Sequence, residues 1–451
     1  MKFLNRIQEK KRLTDALVRE ESSLVVIYGR RRCGKSRLIR EVLSFDDVYF
    51  MADKSEAIQQ RALLSKEISK VVQGFDRINY QDWDVLFETL NYRLTKRITL
   101  CLDEFPYLVK GTPELPSIIQ KWTDNKEQLK FNLILCGSSQ QMMYSIVFDS
   151  SEPLYGRADE ILKIVPLNIR YLQEAIKCTP LEAVEEYSVW GGVPRYWELR
   201  NNQPDLFEAI EYHVFSSKGV LYDEPIRLFL DDMRDSVQPF TILSLIAAGC
   251  NRLSEIAARL GKPATNLSNP LDKLISLGYI EREIPFGENV KNGKKSLYKI
   301  SDPFLRFYFQ YVVPNRSAIE SENIKKISSG IRNNFNDYVS LQWERCCRAY
   351  VSKNQINGLT FENVSRWWGT VGKDEPVEFD VVALSEDKKT LLVGECKWSD
   401  SEINEEKLLN ELSVKAQKLP FAPNKKIITV LFLKQSKHKV ENVFFPEDIL
   451  L

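Results

Sequence analysis

The sequence predicts an α/β fold built on a parallel sheet, followed by helical and mixed modules. Three apolar, β-rich runs carry this expectation: SLVVIYG at 23–29, ITLCLDEF at 98–105 and FNLILCGSS at 131–139. Continuous rather than alternating apolar runs are the mark of parallel strands covered on both faces. Ahead of the second run, Trp83, Leu86, Phe87, Leu90 and Leu94 recur at helical spacing, which predicts a helix packed on that sheet. Strands that alternate with helices in this way over 1–165 indicate an α/β domain.

Composition bounds what the chain can do. Its 451 residues suffice for about three domains. A hydrophobic share of 43% with 28% charged residues is globular rather than disordered. Lys and Arg number 63 against 62 Asp and Glu, so the net charge of +1 excludes a polycation that coats nucleic acid by charge alone. Any basic surface must be local. No apolar run reaches the roughly 18 residues of a membrane span. The opening MKFLNRIQEKKRL lacks the apolar stretch of a signal peptide. Eight scattered cysteines without metal-type spacing read as reduced thiols, so a cytoplasmic protein is expected.

Gly29-Arg30-Arg31-Arg32-Cys33-Gly34-Lys35-Ser36 fits the phosphate-loop pattern G-x-x-x-x-G-K-[ST]. A buried-type strand precedes it and a helical pattern (Leu38, Ile39, Val42, Leu43) follows, and Arg37 is assigned with the loop to nucleotide binding. In such a loop backbone N–H groups wrap a phosphate at a helix N-terminus. Lys35 is expected to reach the β- and γ-phosphates of ATP, with the Ser36 hydroxyl on Mg²⁺. The run Leu100-Cys101-Leu102-Asp103-Glu104 ends an apolar strand in two carboxylates. Asp103 would then hold Mg²⁺, and Glu104 would orient and deprotonate the attacking water. Ser138, at the tip of the next strand, is a candidate polar sensor of the γ-phosphate.

From 166 to 235 the pattern is mostly helical, interrupted by GGVPRYW at 191–197. Residues 236–312 read as a separate small module. There, LSEIAARLG (253–261) and NPLDKLISLGYIERE (269–283) reproduce a helix-turn-helix pattern. Gly261 ends the first helix, and Pro270 must sit in the first turn of the second. A hairpin about Asn292-Gly293 follows, and it carries Lys291, Lys294, Lys295 and Lys299. These lysines form a local basic wing suited to phosphate contacts, although such a hairpin can equally be a solvated or protein-binding surface.

Residues 313–451 form the last unit. PVEFDVVALS and TLLVGECKW read as two strands joined by Glu386-Asp387-Lys388-Lys389. A turn centred between Asp387 and Lys388 gives opposed residues a constant number sum of 775, which pairs Asp380 with Glu395. Their Cβ atoms would lie about 5 Å apart on one face, and Lys397 shares that face. Two carboxylates and an ammonium suit phosphodiester hydrolysis with a divalent metal. The competing reading is a surface hairpin with ordinary cross-strand ion pairs. Trp367-Trp368 could stack on bases or simply pack.

Taken together, these residues resemble the AAA+ ATPase superfamily. They resemble more closely an archaeal and bacterial group within it that carries a helical lid, a winged helix and a C-terminal nuclease-like domain. The resemblance rests on Phe3-x-x-Arg6-x-x-Glu9, the GRRRCGKS loop, LDEF, GSS, LYGR (154–157) and GGVPRY (191–196). It implies a P-loop parallel sheet over 1–165, a lid over 166–235, a winged helix over 236–312 and a restriction-endonuclease-like α/β domain over 313–451. It further implies that Arg157 acts on the γ-phosphate of a neighbouring copy in a homo-oligomer, and that Arg195 serves as a second sensor. Asp380…Glu395-Cys396-Lys397 looks like the PD-(D/E)XK nuclease signature, with Glu344 matching an acidic residue on a preceding helix. The expected activity is ATP hydrolysis coupled to DNA binding and Mg²⁺-dependent cleavage. The alternative is an ATP-driven switch, or a DNA-binding regulator, whose C-terminal domain does not cut.

Overall fold

The three apolar runs become neighbouring strands of one sheet. The computed structural model describes residues 3–233, 237–289, 295–371, 375–436 and 440–450. Its first five strands are β1 (Leu24–Tyr28), β2 (Val48–Met51), β3 (Ile98–Asp103), β4 (Phe131–Gly137) and β5 (Glu160–Lys163). They lie in the order β2-β3-β4-β1-β5, and every pairing is parallel. All residues of β3 and β4 are buried, which accounts for their unbroken apolar character. The helix Trp83–Arg93 starts at Asp82, whose carboxylate accepts from Val85 N–H, and it buries Trp83, Leu86, Phe87 and Leu90 in the core of this sheet.

The chain divides into two compact units. The first runs to Leu167 and also takes in Val193–Arg195 and a stretch beginning at Ile226. The second holds the rest. The stretch expected as one lid, 166–235, is therefore shared between the two.

In the second unit the helix Pro180–Trp190 opens on a capping box, with Thr179 and Glu182 each satisfying the other's backbone N–H. The helix Leu253–Leu260 ends at Gly261, which adopts the left-handed φ of 61°. Pro270 lies in the first turn of the helix Ser268–Ser276, where a missing N–H breaks no helical bond. β6 (Ile280–Glu283) and β7 (Leu297–Ile300) pair antiparallel. The expected Asn292-Gly293 turn, with Lys291 and Lys294, lies outside the described residues.

The remaining strands are β8 (Phe361–Val371), β9 (Glu375–Ser385), β10 (Thr390–Lys397), β11 (Lys426–Leu433) and β12 (Val443–Phe444). Their order is β12-β11-β10-β9-β8. β8, β9 and β10 form an antiparallel meander, whereas β11 runs parallel to β10 through the helix Glu405–Ala416. The β9–β10 register pairs Leu384 with Leu391 and Val381 with Gly394, which is the expected sum of 775. Asp387 fixes the turn by accepting from Ser385 Oγ at 2.6 Å and Lys389 N at 3.0 Å. Among the described residues no helix is long and apolar enough to cross a membrane.

Candidate functional site

The loop after β1 folds back on itself. Gly29 has φ 139°, and a Cβ there would meet the Ile164 carbonyl oxygen at 2.2 Å, so only glycine fits. Gly34, at φ 91°, caps the helix Lys35–Arg40. Lys35 Nζ donates to the carbonyls of Gly29 at 2.8 Å and Arg30 at 3.1 Å. The ammonium thus stands over the loop it is expected to serve. Cys33 is 1% exposed.

Across the carboxyl edge of the sheet, Ser36 Oγ donates to Asp103 Oδ2 at 2.7 Å. Asp103 Oδ1 accepts from Glu104 N–H at 2.9 Å, and Glu104 takes the left-handed φ of 54°. That kink brings its carboxylate to Ser138, whose Oγ donates to Glu104 Oε2 at 2.9 Å. The expected loop, acidic pair and strand-tip serine therefore form one connected set.

Tyr49, Asp231 and Asp232, which also touch this set, were not singled out from the sequence. Tyr49, on β2, donates its phenol to Asp103 Oδ2. Burial, and then the charge of Asp103, raise its pKa, so it remains a donor. Arg6 is buried and donates to the carbonyls of Cys33, at 3.3 Å, and Val165, while it pairs with Glu9 at 3.0 Å. The Phe3-x-x-Arg6-x-x-Glu9 motif thereby braces the loop, and the Arg37 guanidinium lies 5.9 Å from the centroid of the Phe3 ring. Arg31 pairs with Asp231 at 2.6 Å, and the neighbouring Asp232 accepts from Gln140 N at 3.1 Å. The only sequence signal for Arg6 was its place in a recurrent motif. Tyr49, Asp231 and Asp232 gave none.

Arg157 stands elsewhere. It precedes β5, whose first residues pair with the start of β1, so it lies at the sheet edge opposite the loop. There it is bound to Asp124 at 2.9 Å. Arg195 is exposed in the first turn of the helix Pro194–Arg200.

In the C-terminal sheet Asp380 and Glu395 come together as the register requires, and Asp380 Oδ2 accepts from Cys396 N at 2.9 Å. Burial, and then the charge of Glu395, push the Asp380 carboxyl up. Lys397 pairs with Glu395 at 2.7 Å, and this contact outweighs burial to raise the ammonium. Glu344 is engaged by two cations. Its carboxylate lies 3.3 Å from Arg348 and 3.6 Å from Arg366. Among the described residues no group of three His, Cys, Asp or Glu side chains is arranged to hold a metal ion. Glu344 nevertheless lies near Asp380, since burial and then the Asp380 charge push the Glu344 carboxyl up.

Of the four lysines expected on the basic wing, Lys295 and Lys299 lie within the described residues. Lys299 is bound to Glu283 at 2.7 Å, with both side chains largely buried, and Lys295 pairs with Glu288 at 2.9 Å. Glu283 also meets Arg366 at 2.9 Å and Arg348 at 4.0 Å. Trp367 packs against Phe379 and Phe421, whereas Trp368 lies under the Arg366 guanidinium.

The parallel sheet, its glycine-bounded loop and the Ser36–Asp103 contact define a P-loop ATPase of the Walker type. The model of an ATPase domain predominantly from Archaea matches residues 3–199, and that of archaeal and bacterial proteins of unknown function matches 308–409. An uncharacterized protein of Methanocaldococcus jannaschii is 31% identical over 404 residues, covering 88% of either chain, and the present chain belongs to the same family. The fold is shared with a Walker-type ATPase of Pyrococcus abyssi, at a TM-score of 0.51 and 22% identity over 68% of this chain and 96% of that one.

Proposed function

We propose that this ATPase turns over ATP at the carboxyl edge of the first sheet and uses the nucleotide state to control a nucleic-acid-directed C-terminal domain. The observation that carries the first half is the chain of contacts Ser36–Asp103–Glu104–Ser138 beside Lys35. Ser36 and Asp103 offer hard oxygen donors that suit Mg²⁺. When bound, the metal would neutralise charge on the β- and γ-phosphates. Lys35 would leave the carbonyls of Gly29 and Arg30 to bind those phosphates. Glu104 would take the proton of the attacking water, and Ser138 would keep its carboxylate aimed until substrate arrives. Lys35→Ala should abolish retention of ATP. Glu104→Gln should retain ATP and cut turnover at least about 100-fold. Equal ATP binding by Lys35→Ala would overturn the reading.

Arg157 lies at the far sheet edge, so it would act only on the nucleotide of another copy, in a homo-oligomer. A rise in ATP turnover per chain with protein concentration, lost in Arg157→Ala, would test this role. Arg195 is assigned to nucleotide sensing within the same reading.

For the C-terminal domain, the pairing of Asp380 with Glu395, and Lys397 beside them, supports metal-dependent cleavage of DNA. Glu344, which feels the Asp380 charge, is proposed as the third carboxylate of that set. The second reading, binding of DNA without cleavage, is favoured by the ion pairs that occupy Glu344 and Glu395. A nicking assay with Mg²⁺ separates the two, since Asp380→Ala removes activity only under the first.

A further inference from the structure

Tyr49 stands outside the phosphate loop and the two acids after β3, yet it meets both. Its phenol donates to the same Asp103 oxygen that accepts from Ser36. The Arg40 guanidinium, from the helix that follows the loop, lies 4.5 Å from the centroid of the Tyr49 ring. One side chain on β2 thereby ties the loop helix to the acidic end of β3. Asp103 Oδ1 is engaged by Glu104 N–H, so three donors from three directions fix the carboxylate plane. Removal of the phenol would leave the Ser36 hydroxyl and the weakly donating Cys136 thiol as side-chain partners of that carboxylate. A carboxylate held by fewer donors samples more rotamers, and each productive contact it makes then carries an added ordering cost.

We infer that Tyr49 is a positioning residue for magnesium-dependent nucleotide binding, acting through Asp103. This inference rests on the assignment of Ser36 and Asp103 to Mg²⁺ in the proposed function. Tyr49 touches neither nucleotide nor metal in this scheme. Its loss should therefore leave metal-free nucleotide binding intact and weaken only the gain in affinity that Mg²⁺ confers. A hydrogen bond to a charged group is worth about tenfold in an equilibrium constant.

The test uses the full chain and a fluorescent ATP analogue, titrated in EDTA and in Mg²⁺. In the wild type Mg²⁺ should tighten binding. In Tyr49→Phe, which keeps the ring under Arg40, binding in EDTA should be unchanged and the tightening should shrink about tenfold. The Mg²⁺ concentration that half-saturates ATP turnover should rise by a similar factor. Tyr49→His, which restores an N–H donor, should recover part of the effect and also serves if the Phe variant does not fold. A wild type indifferent to Mg²⁺ would sink the metal assignment, and this inference with it. A wild type that responds, beside Phe and His variants that respond equally, would sink the inference alone.

Discussion

Arg6 shows how much one side chain can hold. It sits in the left-handed region at φ 66° and is buried, and it ties the Cys33 carbonyl, inside the phosphate loop, to the Val165 carbonyl after β5. A non-glycine residue persists there only when its surroundings over-determine it. Arg6→Met keeps the bulk and removes the donors, so ATP affinity should fall about tenfold, as read by equilibrium titration. At this scale the sequence was most legible where a motif compresses function into consecutive positions, as in Gly29 to Ser36. It was least legible where function depends on a neighbour supplied by another strand or helix. Tyr49 reaches Asp103 only because β2 pairs with β3, and Arg366 reaches Glu344 only because β8 folds beside the helix Phe335–Val351. No local pattern encodes either meeting.

Among the elements, the β9–β10 hairpin could be read in advance because turn chemistry fixes register and register fixes faces. The β6–β7 hairpin could not. Its lysines read as a basic wing in sequence, whereas Lys299 is neutralised by Glu283, which also faces Arg348 and Arg366. Burial alone would raise the Glu283 pKa, but Lys299 and Arg366 together hold it below the ordinary value. Replacing Glu283 by Gln leaves three cations without that counter-charge, and should destabilise the second unit by roughly 3 kcal/mol in denaturant unfolding. Another buried acid gives the opposite pH signature. Glu186, on the helix Pro180–Trp190, is raised from 4.5 to about 7, chiefly by burial and despite Arg200 at 2.7 Å. An acid with a raised folded pKa adds stability that is complete below its unfolded value and is lost as pH rises through the folded one. The wild-type Tm should therefore fall between pH 5 and pH 8 relative to Glu186→Gln, as followed by thermal melts.

For the molecule as a whole, the informative feature is the path of the chain. It contributes the stretch from Ile226 to the first unit, although the residues on either side belong to the second. That stretch ends the helix Glu224–Asp232 with two acids, one on Arg31 and one on the backbone of Gln140. A triphosphate brings negative charge to the same loop. Asp231→Asn should tighten ATP binding a few-fold at low salt, and the gain should shrink at high salt because the pair is partly exposed. The change to a mostly helical pattern after 165 is legible in the sequence. The return of a distant segment to the first unit has no compositional trace.

Cys33 offers a practical consequence. Its thiol is sealed within the loop at 1% exposure, whereas Cys178 and Cys250 are partly open to solvent. A maleimide should alkylate Cys250 first, ahead of Cys178, whose thiol burial pushes up to about 12, and should reach Cys33 only when the loop breathes. The slow phase of labelling, located by peptide mass, is thus a chemical clock for the opening of the phosphate cradle.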